Sequence, residues 1–294
     1  MSTLLFKFFR KISKSISGKG LSRLPFAVFL YQSVYKKLKP KGVTTISAGD
    51  HTLFIDSHDT GSAPYLIMHG EWDPPQTEVI ERLLQKGMTF IDIGANVGYF
   101  SLCAAKIVGE EGGVFSFEPD EHNYKLLARN VEKNGYNNIT TVKKAVSDTN
   151  GRATFYLKEE NLSAHSLVKE KNTTAVEVET TTLDDYLDGR DADVIKIDVE
   201  GAEPLVLKGM QKTLEQSEKI AVITEFYPNA IAELGYSPEE YLLNLVDMGF
   251  VLYRIGEEKG STPTRITRDM IAGLSIVSEE KRLMNIVCLK NWDL

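Results

Sequence analysis

From Met88 onward, short apolar runs alternate with segments of helical periodicity, and this alternation constrains the fold more than any other feature of the chain. It predicts strands at 88–93, 113–118, 139–144, 193–198, 219–225, 249–255 and 283–289. It predicts helices at 97–108, 120–134, 203–216 and 237–248. Apolar strands separated by helices are typical of a mainly parallel sheet that carries helices on both faces. The sequence therefore predicts an α/β fold.

Two segments fall outside this rhythm and define the expected domain organisation. Residues 1–70 carry one or two amphipathic helices within 4–39 and a β-hairpin at 43–56, where the pattern alternates around a Gly-Asp turn. Within the remaining residues, 71–294, the stretch 151–182 holds two strand-like pieces around a polar loop. We therefore expect an N-terminal extension, a main domain, and a hairpin inserted over the top of its sheet.

Composition is that of an ordinary globular protein, with 42% hydrophobic and 26% charged residues in a chain of 294. Cys103 and Cys288 are far apart, which predicts neither a disulfide framework nor a zinc site and favours a reducing, cytoplasmic compartment. The apolar run at 24–31 is too short to span a bilayer, and no small-residue cleavage site follows it.

Charge is distributed unevenly along the chain. Residues 1–49 contain ten Lys and Arg and no Asp or Glu. The whole chain has 34 basic and 41 acidic residues, so residues 50–294 hold 24 basic and 41 acidic ones. Their net charge is therefore −17. A main domain this acidic is not expected to bind nucleic acid through phosphate contacts.

The basic N-terminal segment, 4–39, suggests peripheral contact with the inner face of a membrane. An amphipathic helix places apolar side chains in a bilayer interface and basic ones near anionic headgroups. The alternative is that the segment packs on the main domain as a lid. The apolar candidates are Phe6, Phe8, Phe9, Ile12 and Ile16, and the basic candidates are Lys7, Arg10, Lys11, Lys14 and Lys19.

A glycine-containing run, FIDIGANVGYF at 90–100, lies where the first strand of the main domain turns into its helix. Glycines let the backbone approach a ligand, and free N–H groups at a helix start supply donors. Asn96 replaces the middle glycine of the dinucleotide fingerprint and Tyr99 follows, which leaves less room for a pyrophosphate. Asp92, at the strand end, suits a cationic ligand better than a phosphate. The loop therefore favours S-adenosylmethionine, which carries an ammonium and a sulfonium, over a nicotinamide dinucleotide.

An acidic residue follows the next strand. Glu118, in the run Phe117-Glu118-Pro119, lies at the spacing of about 20 residues from the loop at which a carboxylate accepts hydrogen bonds from both ribose hydroxyls. Pro119 cannot continue the strand ladder, so it ends the strand with Glu118 at the sheet edge.

Further carboxylates follow two later strands. The run VIKIDVEGAE at 194–203 places Lys196, Asp198 and Glu200 at one edge, and Glu225 ends the next strand. Such a cluster repels itself unless it binds a cation or takes part in proton transfer.

Taken in order, these motifs resemble the FkbM-type methyltransferase family. The resemblance covers roughly residues 71–228 and implies a Rossmann-like class I methyltransferase with a seven-stranded, mostly parallel sheet, acting on hydroxyl groups of sugars or natural products. It also implies roles for individual residues. By this resemblance, the residues that hold the methionine part of S-adenosylmethionine are Asp92, Gly94, Ala95, Asn96 and Gly98. The ribose is held by Glu118 and Pro119, and the adenine lies beside Ala145 or Ser147-Asp148. Asp198 and Glu200 stand at the edge where the methyl group is transferred. The run from Asn130 to Asn134 and the Thr182-Leu183-Asp184-Asp185 run complete the pattern.

For the chemistry, Asp198 is the first choice as the base or acceptor-orienting group, helped by Lys196 or by His165 on a loop. The alternative is a Mg²⁺-type site formed by Asp198 and Glu225. The segment 69–72 is a candidate for closing over the cofactor.

The acceptor is expected to be a small molecule or a glycan. A nicotinamide-dependent oxidoreductase and a non-catalytic cofactor-binding module are the alternative functions.

Overall fold

The computed structural model describes residues 2–16, 25–278 and 283–292. Within these ranges the helices are α1 Ser2–Ile16, α2 Pro25–Leu38, α3 Ser62–His69, α4 Pro74–Leu83, α5 Tyr99–Val108, α6 Glu121–Asn134, α7 Leu183–Leu187, α8 Glu203–Lys208, α9 Gln211–Gln216, α10 Pro228–Glu233, α11 Pro238–Asp247 and α12 Arg268–Leu274. The strands are β1 Val43–Ala48, β2 His51–Asp56, β3 Thr89–Ile93, β4 Gly113–Phe117, β5 Ile139–Val142, β6 Ala145–Val146, β7 Gly151–Lys158, β8 Thr173–Thr181, β9 Val194–Ile197, β10 Ile220–Phe226, β11 Val251–Arg254, β12 Thr264–Ile266 and β13 Met284–Lys290.

The central sheet has the order β12-β11-β13-β10-β9-β3-β4-β5. Strands β10, β9, β3, β4 and β5 pair in parallel, whereas β13 lies antiparallel between β10 and β11, and β12 pairs antiparallel with β11. The predicted α/β fold with a mostly parallel sheet is confirmed. The predicted number of strands, seven, is wrong by one, because the described sheet has eight. The added strand, β12, is a three-residue edge strand with two exposed residues, so it has no apolar run to reveal it.

Side chains of the central strands alternate between two buried clusters. Ile91 and Ile195 pack on one face of the sheet, and their neighbours Phe90 and Val194 pack on the other. The first cluster includes apolar residues of α8 to α11, and the second includes those of α4 and α5. Successive residues of a strand point to opposite faces, so a continuous apolar strand is buried on both sides. Helices cover both faces of the sheet, as these strands predict.

Helix starts follow local signals in the sequence. Asp120, before α6, accepts hydrogen bonds from the backbone N–H groups of His122 and Asn123 at 3.0 and 2.8 Å. Thr182 and Ser237 cap α7 and α11 in the same way. Side-chain oxygens at these positions satisfy N–H groups that lack intrahelical partners.

The predicted helix at 203–216 is instead two short helices. Gly209 packs so closely against the backbone of Ser147 that a Cβ at this position would collide with its carbonyl oxygen. The carboxylate of Asp184 then accepts hydrogen bonds from the N–H groups of Lys212 and Thr213, at 3.1 and 2.8 Å, and so begins a new helix. The break comes from a contact and a cap supplied by distant parts of the chain, which helical periodicity does not reveal.

The β1–β2 hairpin is held against α6 by two asparagines one helical turn apart. The side chain of Asn130 accepts from the backbone N–H of Phe54 at 2.6 Å and donates to its carbonyl at 3.0 Å. Asn134 makes the same pair of bonds with Thr52. Asn130, fully buried, also donates to the carbonyl of Val97 at 2.8 Å. The hairpin, the helix and the glycine-containing loop are therefore joined through one side chain.

Strands β7 and β8 form an antiparallel hairpin, and β6 pairs in parallel with β8 to complete a separate three-stranded sheet. Its small core consists of Ala145, Phe155 and Val178.

The N-terminal helices contact the main body through α3. Phe6 is buried in the same cluster as Leu66, and the guanidinium of Arg10 donates to the carbonyl of Met68 at 2.8 Å. Lys19 and the side chains of Lys7, Lys14 and Ile16 lie outside the described residues. Among the described helices, none combines the length and the apolar character that crossing a bilayer requires.

Candidate active site

An open cleft of about 1010 Å³, counted with the solvent at its mouth, lies at the carboxyl ends of the parallel strands. Its walls are formed by 93–97, 117–119, 144–146 and 198–200, together with Lys196 and Glu225. Ligands of open parallel sheets bind at this edge because the strand-to-helix loops meet there. The topology thus brings the separate sequence motifs into one cavity.

Backbone contacts determine the shape of the glycine-containing loop. Gly94 has φ +78°, and a Cβ there would collide with the carbonyl oxygen of Asp198. The N–H groups of Gly94 and Ala95 both donate to the carbonyl of Phe117, at 3.0 and 2.9 Å. Gly98 also has a positive φ, +88°, and packs against Leu127. These positions require glycine for conformation and for close approach, so the loop is fixed between β4 and β9.

Asp92 lies beneath this loop and is fully buried. Its Oδ2 accepts from the hydroxyl of Ser101 at 2.6 Å, and its Oδ1 lies 3.4 Å from Nζ of Lys196. It is not among the described residues that line the cleft. The prediction that Asp92 faces a cationic ligand is therefore wrong: the carboxylate is neutralised by Lys196 inside the protein, because a buried charge without a partner is costly.

Lys196 connects Asp92, beneath the loop, to Asp198, which follows β9. Its Nζ lies 3.4 Å from Asp92 and 3.2 Å from Oδ2 of Asp198, and its side chain is 1% exposed. Burial lowers the pKa of Lys196, but the carboxylates of Asp198 and Asp92 outweigh it, so the pKa is raised overall. The group is a retained ammonium that positions Asp198, and it is unsuited to act as a base.

Glu118 presents a buried carboxylate to the cleft. Its Oε2 accepts from the backbone N–H of Asn96 at 2.8 Å, and its Oε1 accepts from that of Asp120 at 2.9 Å. Each oxygen keeps capacity for another hydrogen bond. Burial raises the pKa of Glu118 to about 8. The pair of free acceptor positions is the arrangement that a ribose diol requires.

A cluster of carboxylates forms the opposite side of the cleft. One carboxylate oxygen each from Asp198, Glu200 and Glu225 lies within 4.8 Å of the other two. Burial and the charge of Asp198 raise the pKa of Glu200 to about 8 and that of Glu225 well above its ordinary range. Glu203, buried beneath the 199–201 turn, accepts from the N–H groups of Val199 and Gly201 at 3.2 Å each, which gives it a structural role.

His165 lines the cleft from the loop between β7 and β8. Its Nδ1 accepts from the backbone N–H of Lys158 at 3.0 Å, so the ring proton of the neutral form is on Nε2. Burial lowers the pKa of His165 and keeps the ring neutral. In this arrangement His165 offers an N–H donor to the cleft and has no free ring nitrogen that could accept a proton.

The wall at 144–146 includes Ala145, whereas Ser147 and Asp148 are not among the described lining residues. Ser147 faces the β8 and Gly209 side, where its N–H donates to the carbonyl of Thr181 at 2.9 Å. Of the two predicted adenine contacts, only Ala145 lies on the cleft. Pro119 also lies on it.

Several lining residues come from elements that motif analysis did not connect to the site. Ser62 and Leu66 of α3 and Phe155 of β7 line the cleft, as does Asn123 of α6, whose amide donates to the carbonyl of Leu162 at 2.8 Å. Trp72, from the segment considered as a cover, lines it as well. Apart from that tryptophan, no local signal distinguishes these residues from ordinary core positions.

The residues present fit S-adenosylmethionine. Glu118 would supply two carboxylate acceptors for the ribose hydroxyls, and Ala145, Val146 and Phe117 would supply apolar surface for a flat base. Gly94 and Gly98 let the loop pack against Asp198 and Leu127, and its residues 94–97 line the cleft.

Comparison with known proteins agrees with this arrangement. The Methyltransferase FkbM domain matches residues 92–252, more than half of the 294 residues. A protein-L-isoaspartate O-methyltransferase of Methanococcoides burtonii is 30% identical over 105 residues, which are 35% of this chain and 47% of that protein. A hexuronic acid methyltransferase of Haloferax volcanii is 25% identical over 154 residues, 50% of this chain and 61% of that protein. The chain thus spans about half the length of the curated relatives it matches.

Two solved structures that align with this chain are also methyltransferases. An rRNA methylase described as putative, from Clostridium thermocellum, has a TM-score of 0.45 at 11% identity, covering 79% of this chain and 96% of that one. An S-adenosylmethionine-dependent O-methyltransferase from Thermotoga maritima has a TM-score of 0.41 at 18% identity, covering 90% and 82%. The family match over residues 92–252, together with the fold and the cleft, leads to one conclusion. The chain belongs to the FkbM family of S-adenosylmethionine-dependent methyltransferases.

Proposed function

We propose that this chain transfers a methyl group to a hydroxyl group of a sugar, a glycan or a related natural product. The observation that carries the proposal is the pair formed by Asp198 and Lys196 at the edge of the cofactor cleft. The carboxylate of Asp198 is 29% exposed and lies 3.2 Å from a fully buried ammonium. A carboxylate held in this way can orient a neutral acceptor and receive its proton.

The chain's own residues account for cofactor binding. Bound S-adenosylmethionine supplies an electrophilic methyl group. Glu118 would hold the ribose, the loop at 94–98 the methionine part, and the wall around Ala145 the adenine. Asp92 acts indirectly by anchoring Lys196 beneath the loop.

An alcohol is a weak nucleophile, so its proton must be removed as the new bond forms. Asp198 is the group placed to accept that proton, and its partial exposure gives the proton a route to solvent. Lys196 keeps its own proton and holds the Asp198 carboxylate in one orientation. The fixed Asp198 carboxylate would align the acceptor oxygen with the methyl group, which is the main requirement of an in-line displacement.

The charge of the cleft favours a neutral acceptor over an anionic one. Asp198, Glu200 and Glu225 converge on the methyl-transfer edge. Two like charges about 4 Å apart repel by roughly 4 kcal/mol at the dielectric typical of a protein surface. Phosphate acceptors, including nucleic acid, are therefore disfavoured. The relative named for a hexuronic acid supports a sugar acceptor, although a hexuronic acid itself carries a carboxylate.

A screen with a labelled methyl donor tests this proposal. We expect label in neutral glycans or other polyhydroxylated compounds, as a product stable to mild alkali, because ethers survive conditions that hydrolyse methyl esters. Label on the bases of RNA, or only in alkali-labile esters, would contradict a hydroxyl acceptor. Parallel reactions with the Asp198→Asn variant show whether labelling depends on this site.

Cofactor binding should depend on pH through Glu118. Because the pKa of Glu118 is raised to about 8, its carboxyl is protonated in the free protein below that pH, whereas ribose hydroxyls need the carboxylate. Affinity for S-adenosylhomocysteine should therefore fall as pH falls from 8 to 6, by up to about tenfold per unit. Calorimetry across this range measures the effect.

The control for that titration is Glu118→Gln, which cannot ionise. Asp120 and Asp92 contribute to the electrostatic surroundings of Glu118 and remain unchanged in the variant. Its affinity should be weaker but should lose most of the pH dependence. Equal slopes in the two proteins would assign the dependence to another group.

We also propose that the N-terminal helices contact an anionic membrane surface. Exposed apolar side chains, here called the N-terminal apolar surface, are Leu5, Phe8, Ile12, Phe26 and Phe29. Exposed basic residues in the same segment are Lys11, Lys36, Lys37 and Lys41. Each basic residue near an anionic leaflet contributes on the order of 1 kcal/mol. Phe6 and Arg10 contact the main body, which holds α1 in place while this surface faces outward.

Vesicle sedimentation tests the membrane contact. The protein should sediment with vesicles containing phosphatidylserine at low salt and should be released at high salt, because the attraction is screened. Replacing Phe8, Phe26 and Phe29 together by Ser should reduce binding at both salt concentrations. Full retention in the supernatant at low salt would reject the proposal and favour a lid.

A further inference from the structure

We propose that Asp198, Glu200 and Glu225 bind a divalent cation that prefers oxygen ligands, of the Mg²⁺, Mn²⁺ or Ca²⁺ class. The binding site stands on its own geometry. The role of the ion, which is to hold the acceptor oxygen beside Asp198, rests on the proposed hydroxyl methylation.

The spacing of the three carboxylates suits such an ion. One oxygen from each residue lies within 4.8 Å of the other two. Oxygens that bind a common ion at about 2.0 to 2.6 Å can be no more than about 5 Å apart. The three groups therefore reach a common point without rearrangement of the backbone.

Glu225 supplies an independent indication of a missing partner. Its side chain is 9% exposed, and its Oε2 is buried with no hydrogen-bond partner among the described residues. Every residue of β10 is buried and paired within the sheet, so the Glu225 backbone cannot shift to bring the carboxylate to water. A buried carboxylate oxygen in this position is stabilised by a cation.

Glu200 is held from both sides. Its backbone has φ 55°, in the left-handed region that non-glycine residues seldom adopt. The hydroxyl of Ser166 donates to the carbonyls of Val199 and Glu200 at 3.0 and 2.9 Å, and Gly201 packs on Ala230. The carboxylate is thereby kept on the cleft instead of turning to solvent.

The chemistry of the ligands selects the ion. The cluster contains carboxylates and neither histidine nor cysteine, which favours hard cations over zinc or copper. Lys196 pairs with both Asp92 and Asp198, so one ammonium does not balance the carboxylates of Asp92, Asp198, Glu200 and Glu225, and a divalent ion would offset most of the remaining charge. The remaining coordination positions would be open to hydroxyl oxygens of an acceptor, which extends the preference for polyhydroxylated compounds.

Mn²⁺ binding to the whole chain tests the site. After chelator treatment, electron paramagnetic resonance should detect one bound Mn²⁺ per chain without cofactor or acceptor, and Mg²⁺ should displace it. Glu225→Gln and Glu200→Gln should each weaken binding by tenfold or more. Glu233→Gln, an exposed carboxylate of α10, is the matched control and should bind as the unchanged protein does.

The outcomes separate this proposal from the methylation proposal. Absence of Mn²⁺ binding at millimolar concentration, or equal binding by Glu225→Gln with its circular dichroism unchanged, overturns the metal site. Methylation that continues at full rate with a chelator overturns the proposed role of the ion in holding the acceptor and leaves the proposed function standing. Specific Mn²⁺ binding without methylation of any hydroxyl acceptor keeps the site and rejects the function. If the protein binds an ammonium-bearing substrate more tightly than Mn²⁺ at these carboxylates, the cluster is an amine site and the metal site is overturned.

Discussion

Asp198→Asn should lower turnover by about a hundredfold or more while changing the affinity for S-adenosylhomocysteine by less than about threefold. The amide keeps the size of the carboxylate but cannot accept the acceptor's proton, and it no longer forms an ion pair with Lys196, 3.2 Å away. Because Glu118 and the loop at 94–98 are unchanged, the cofactor contacts remain. Single-turnover methyl transfer at saturating donor measures the loss.

Asp191→Asn, at an exposed position before β9, is the control and should retain full turnover. If Asp198→Asn reacts normally, Asp198 is not the proton acceptor. His165 is not the substitute, because its Nδ1 already accepts a backbone hydrogen bond from Lys158.

Glu118→Ala should weaken S-adenosylmethionine binding by about 2–3 kcal/mol, which is roughly 30- to 150-fold. The variant loses two charge-assisted acceptors for the ribose. It also leaves the N–H groups of Asn96 and Asp120 without the carboxylate that now accepts their hydrogen bonds at 2.8 and 2.9 Å. Calorimetric titration provides the measurement.

A cofactor analogue without ribose hydroxyls makes this test specific. The unchanged protein should bind the analogue much more weakly than S-adenosylhomocysteine, whereas Glu118→Ala should distinguish the two ligands little. Equal discrimination by both proteins would remove the assignment of Glu118 to the ribose, and it would attribute any loss of affinity to the loosened loop.

Prediction from sequence was most successful where the apolar pattern is strong. The parallel strands were predicted because fully buried strands such as β9 and β10 are continuous apolar runs. The carboxylates that end them, Asp198 and Glu225, follow from the rule that carboxyl ends of parallel strands share an edge. The apolar pattern does not reveal β12, which is short and mostly exposed, or the break at Gly209, which depends on contact with Ser147.

Local patterns are enough to predict the α/β class, the order of the motifs, and the presence of Gly94, Glu118 and Asp198 at strand ends, since periodicity and turn chemistry are local properties. The distribution of charge among these groups depends on the folded arrangement. It pairs Asp92 with Lys196 beneath the loop, fixes His165 as a donor, and leaves Glu225 buried. These outcomes depend on burial and on distances between residues far apart in the chain. The energy of a charge depends on its partners and on its access to water, neither of which is encoded in a local pattern.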